Sequence, residues 1–150
     1  MTAKEYLLEI QKFKRTADAL GEKAEALRTE MEGLKAITYD RDRVQVSPTN
    51  RVEELMPRLV ELEEKYGDAI LEYHKAVQIR TQQIAEIGRS DYSEILRLRY
   101  VELGKHAKRM TLEEIAVKTH MSFEWVRHLH GRALAAFEKK YLEKTTHKNT

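Results

Sequence analysis

At 150 residues the chain suits one domain, or a small domain carrying a long extension. Charged residues make up 35% and aromatics 7%, with two prolines and six glycines, a composition that strongly favours helix. The absence of cysteine excludes disulfides, thiolate metal sites and cysteine nucleophiles together, and agrees with a reducing cytoplasm.

The net charge of +2 is unevenly spread: from Lys105 to Thr150 there are 10 Lys and Arg against 5 Asp and Glu, a local +5, and the chain before it carries −3. His106, His120, His128 and His130 lie in the same basic third, which suits a polyanionic partner. No apolar run is long enough to span a bilayer, and the opening Met1-Thr2-Ala3-Lys4-Glu5 lacks the apolar core of a signal peptide. The expectation is a cytoplasmic protein without a membrane segment. Paired carboxylates in an apolar setting, a phosphate loop and a nucleophile with its base are all missing from the pattern, so neither an enzyme nor a cofactor is expected.

In chain order, Thr2 and Glu5 form a capping box. An unbroken heptad follows, with Ala3, Ile10, Ala17, Ala24 and Met31 on one seam position and Tyr6, Phe13, Leu20, Leu27 and Leu34 on the other. A helix from about residue 3 to 35 is roughly 50 Å long and needs a partner along its seam. After a polar loop, Thr38 to Thr49, expected to be partly extended around Val44 and Val46, Asn50 and Glu53 make a cap pair. Val52, Leu55, Leu59, Leu62, Tyr66, Ala69 and Tyr73 then continue a heptad-like seam, with Ile70, Val77, Ile84 and Ile87 out of phase. Pro57 predicts a kink or a start delayed to that residue. Residues 1–88 are thus expected to form a coiled-coil-like antiparallel hairpin that serves dimerisation or partner binding.

Gly88-Arg89-Ser90 ends the second helix, and Asp91 with Glu94 is read as the cap of the next, whose Ile95, Leu96, Leu98 and Val101 face a core. Leu103 to Met110 is a basic connector. Thr111 then caps a helix from Leu112 to about Thr119, with Glu114 able to bond back, and Ser122 caps another after a turn at His120 and Met121. Two helices joined this tightly form a helix-turn-helix, whose second member enters the DNA major groove. Ile115, Met121, Val126 and Leu129 supply the shared core, and Ala116 marks the closest crossing. The turn needs positive φ, where His120 replaces the usual glycine. Residues 89–144 make the predicted DNA-binding domain, and 145–150 a disordered tail.

At about 100° per residue, Val126, Leu129 and Ala133 share the inner face of the last helix, which is expected to run over about 122–142 and to be closed by Tyr141 and Leu142. Glu124, His128, Gly131 and Ala135 lie opposite, flanked by Arg127 and Arg132. Glu124 can accept from a cytosine amino group, and His128 can meet a purine edge. Arg127 and Arg132 suit phosphates, as do Ser122 and the amides after it, although Ser122 equally serves as a simple cap. Trp125 is expected to pack against the hairpin, with stacking on a DNA sugar as the alternative. Gly131, costly within a helix, suggests close approach by a backbone or a phosphate. Lys108, Arg109 and Thr111 complete the DNA-facing set. His128 and His130 diverge on a helix and offer no zinc site.

Tyr92 to Leu134 resembles the C-terminal helix-turn-helix domain, region four, of bacterial sigma factors: ILRLRY, a connector, TLEEIA, a turn, then S-x-x-x-V-R-x-L-x-x-R-A-L. The variant WVRHLHGRAL is similar to small sigma-like proteins of phages of Gram-positive bacteria, including late-gene transcription activators of the RinA type. The resemblance implies an all-α regulator that binds double-stranded DNA, with Glu124 and His128 where base-reading residues stand and Arg127 where a basic residue is retained. It also implies host RNA polymerase as a possible partner. Phe123 and Trp125 depart from the family's arginines, which points away from housekeeping promoter reading, and sigma regions two and three have no counterpart. The expected function is a phage-type transcriptional regulator, dimeric through its hairpin and acting in the host cytoplasm. The rival readings are a DNA-packaging or terminase-associated adaptor and a polymerase-binding module without DNA readout.

Overall fold

A computed structural model of the chain describes residues 1–40 and 48–143, and among these it is all-helical, without strands. Five α-helices occur in this order: α1 Ala3–Asp40, α2 Pro48–Ala85, α3 Ser90–Leu96, α4 Leu112–Thr119 and α5 Phe123–Phe137. A π-type turn extends α3 over Arg97–Val101 and another extends α5 over Glu138–Leu142. No helix among the described residues is long and apolar enough to cross a membrane.

The predicted capping box opens α1 in both directions: Thr2 N donates to Glu5 Oε2 at 3.1 Å, and Glu5 N to Thr2 Oγ1 at 3.2 Å. The heptad holds, since Ala3, Ile10, Ala17, Ala24 and Met31 are all buried and the Tyr6 row is half-buried except for the buried Leu27. Residues 34–40 contain no glycine or proline, and α1 continues to Asp40, taking in Thr38 to Asp40, which the sequence assigns to the loop. The rest of that loop around Val44 and Val46, and the tail 145–150, lie outside the described residues.

The delayed start at Pro57 does not occur; α2 begins at Pro48 and runs through Pro57. A first-turn proline loses no hydrogen bond. At Pro57 the missing donor leaves one carbonyl, that of the exposed Glu53, which water can satisfy. Asn50 and Glu53 therefore lie within α2 and do not cap it. The expected cap at Asp91 also moves. Arg89 precedes α3, and Asp91 sits in its first turn, where Oδ1 accepts from Tyr92 N at 2.9 Å and the carboxylate pairs with Arg89 at 2.8 Å.

The chain forms two compact units, residues 16–71 and residues 1–15 with 72 onward, and does not part at residue 88. The cause is apolar: Ala3 and Leu7 of α1 and Ile84 of α2 belong to the core of α3, α4 and α5, with Ile95, Leu96, Leu98, Tyr100, Ile115, Val126, Leu129 and Phe137. In this unit α1 and α2 run antiparallel. Tyr6 Oη donates to Gln83 Oε1 at 2.8 Å, and the buried Arg80 reaches Tyr6 O at 3.0 Å and Glu9 at 3.2 Å. Such a charge is tolerated inside because it is both paired and hydrogen-bonded.

In the unit of residues 16–71, Ala24, Leu27 and Met31 pack on Val52, Leu55 and Leu59. Gly21 marks a close approach there, since a Cβ would lie 2.8 Å from the Tyr66 ring and the ring would have to shift. Arg28 bridges Glu25 at 2.7 Å and Glu63 at 3.0 Å.

Candidate nucleic-acid interface

The α4 to α5 segment follows from its capping residues. Thr111 Oγ1 accepts from Glu114 N at 3.1 Å and starts α4 at Leu112. At the other end His120 takes the left-handed conformation, φ 57° and ψ 35°. Met121 N donates to Ala116 O at 3.1 Å and His120 N to Val117 O at 3.4 Å. This is the Schellman pattern, with histidine where glycine is usual. Ser122 then caps α5, its Oγ accepting from Trp125 N at 3.2 Å. Only His120, Met121 and Ser122 separate the two helices. Ala116, 7% exposed, is the small residue between them, and Ile115, Val126 and Leu129 close the core around it.

The face division of α5 is as expected. Val126, Leu129 and Ala133 are buried, while Glu124, His128, Gly131 and Ala135 are exposed, with Arg127 and Arg132 exposed beside them. The arrangement brings Ser122, Glu124, Trp125, Arg127, His128, Gly131 and Arg132 onto one open helix surface. Arg127 lies 3.7 Å from Glu124, but both are so exposed, at 65% and 81%, that the pair stabilises little and can open to other partners. Nothing lies within 4 Å of a Cβ built at Gly131, so the protein itself supplies no close neighbour for it.

Trp125 departs from expectation. It is 48% exposed and does not join the core; its ring leans on His128, with centroids 5.6 Å apart. The inner positions of the first turns are filled by Val126 and Leu129, which leaves the indole outside. Phe123 is 39% exposed, and Val117 on α4 is 77% exposed. Sequence reasoning did not single out Val117, although its place directly after the buried Ile115 and Ala116 put it on the outer side of α4.

Two basic positions prove to be engaged elsewhere. His130 points inward, its Nε2 lying 2.8 Å from Tyr100 Oη and its ring stacked on that tyrosine at 5.7 Å. Burial, then the charges of Arg99, Lys4 and Arg109, push it down to about 4, so it is neutral at pH 7. Arg109 is half-buried and donates through Nε to Gln11 Oε1 of α1 at 3.1 Å. Lys108 is exposed, and Thr111 is committed to its cap. These three residues belong to the connector and not to α5. Among the described residues no cluster of His, Asp or Glu has metal-binding geometry.

No protein-family model, curated protein or solved structure matches the chain.

Proposed function

We propose that α4, its turn and α5 act as a helix-turn-helix that binds double-stranded DNA and that the protein is a sequence-specific transcriptional regulator of phage type. The carrying observation is the α5 surface: a capped helix start followed by an exposed row of Glu124, His128 and Gly131 between two exposed arginines, on a helix anchored by a fully buried inner face. A helix so presented fits the major groove with its N-terminal residues toward base edges. Glu124 and His128 take the bases, Arg127 and Arg132 the phosphates, and Ser122 with the first-turn amides a further phosphate. Gly131 leaves room for close approach, and Trp125 lies open to a sugar face.

A second copy is the proposed partner of the long helices, since Met56, Val60 and Leu71 leave apolar surface exposed on α2. The exposed Val117 and Phe123 favour one further reading, a protein contact such as host RNA polymerase beside or instead of DNA. Selection of duplexes from a random pool, then footprinting at several salt concentrations, tests these readings. A sequence-specific footprint lost on Glu124→Ala is the expected result. Salt-sensitive binding without sequence preference favours a packaging or architectural role, and polymerase capture without DNA binding leaves the protein contact alone.

A further inference from the structure

We propose that Phe123 reads the 5-methyl group of thymine, so that a thymine beside the cytosine taken by Glu124 is part of the protein's target. The inference rests on the reading of α5 as a major-groove helix and names what that surface selects. Phe123 is the first residue of α5, directly after the Ser122 cap. Its ring is 39% exposed, stands outside the core of α3, α4 and α5, and among the described residues touches no other ring. Nothing local calls for an aromatic here. Phenylalanine is a weaker helix former than alanine, glutamate or arginine. The two positions that staple a helix start, one before the cap and four after it, are held by Met121 and Val126, both packed in the core. Phe123 is left holding apolar surface in water, where it gains from being covered.

The neighbours decide what covers it. At about 100° per residue, Phe123 lies about 40° from Arg127 around the helix, and Arg127 and Arg132 are exposed on either side of the row of Glu124, His128 and Gly131. An apolar protein surface laid over Phe123 would strip water from these charges and give nothing back. A duplex brings phosphates to both arginines while its base edges meet the start of the helix. The floor of the major groove carries hydrogen-bonding groups at every base pair and one apolar group, the C5-methyl of thymine. A phenyl ring offers neither hydrogen-bond donor nor acceptor, so the methyl is the group it can select; cytosine has only a hydrogen at that place. Glu124, next in the chain, accepts from a cytosine amino group. Side by side, the two residues call for a methyl and an amino group on neighbouring base pairs.

The test is a chemical double-mutant cycle on the full-length protein. A duplex recovered by binding from a random-sequence pool is remade with each thymine in turn replaced by deoxyuridine, which removes only the methyl group. Affinities are then measured at one salt concentration for the wild type, Phe123→Ala and Trp125→Ala. At one thymine the wild type is expected to lose about fourfold in affinity, the worth of one buried methyl group. Phe123→Ala should bind that duplex and its deoxyuridine counterpart equally, and Trp125→Ala should keep the difference. Deoxyuridine leaves the protein untouched and Phe123 lies outside the core, so a folding defect does not imitate this pattern. A recovered site without thymine, equal binding of every deoxyuridine duplex by the wild type, a methyl preference that survives Phe123→Ala, or one lost equally in Trp125→Ala would each overturn the inference and leave DNA binding standing. Recovery of no duplex at all overturns both this inference and the DNA-binding reading.

Discussion

The two compact units bury their side chains in different ways. Every one of the largest fully buried side chains, Leu7, Ile10, Ile95, Leu96, Leu98, Tyr100, Ile115, Val126 and Phe137, lies in the unit made of residues 1–15 and 72 onward. Among the described residues of 16–71 only Ala24 is closed completely, Leu27, Val52, Leu55 and Leu59 keep 6–9% exposure, and Met56, Val60 and Leu71 are open. Helices that meet from several directions enclose a core, whereas two helices side by side can cover only a seam. The first unit therefore seats the inner face of α5 in an enclosed core, and the second covers a seam between α1 and α2.

The largest expected difference between them is in stability. Phe137→Ala, at a fully closed site, should cost about 3–5 kcal/mol in urea unfolding, and Leu59→Ala, at the seam, about 2 kcal/mol or less. Equal costs would break the contrast. Next, Leu71→Glu puts a charge on the exposed row of α2 and should shift the equilibrium from dimer to monomer by about tenfold or more, read as molecular mass in solution across concentration. An unchanged mass would remove that row from the proposed dimer.

Two smaller effects sharpen the description of the first unit. His120→Gly relieves a left-handed backbone and should raise stability by about 0.5–1 kcal/mol, seen as a higher melting temperature. His130 gives a pH signature. Its folded value of about 4 lies below the ordinary 6.5, so above pH 6.5 it is neutral whether folded or unfolded and costs nothing. Between 6.5 and 4 the unfolded chain takes up the proton and the folded one does not, so stability falls as pH drops through this window and levels off below it. His130→Gln should remove this part of the decline, and melting curves of both proteins from pH 7 to pH 4 check it.

What the sequence revealed was mostly local. The Ala3 to Met31 row follows from a seven-residue step, and the caps at Thr111 and Ser122 and the turn at His120 depend only on neighbours within a few residues. Leu7 lies off the heptad and is buried because α1 also faces the core of α3, α4 and α5, a contact no periodicity announces. The same holds for Tyr100 and His130, paired across 30 positions, and for Arg109, tied to Gln11 of α1 across 98. Pro57 shows the limit of a breaker rule, and Trp125 shows the limit of the expectation that a lone tryptophan completes a small core. The π-type turns after α3 and α5 left no readable mark in the residue pattern.

The most direct test of the proposal that α5 enters DNA is the salt dependence of duplex binding by the wild type, Arg127→Ala, Arg132→Ala and Glu124→Ala. The expected result is that each arginine variant lowers the slope of log affinity against log salt by about 1, while Glu124→Ala keeps the slope and loses about 1–3 kcal/mol of discrimination at one base pair. Identical slopes in all four proteins, with base preference unchanged, would contradict it.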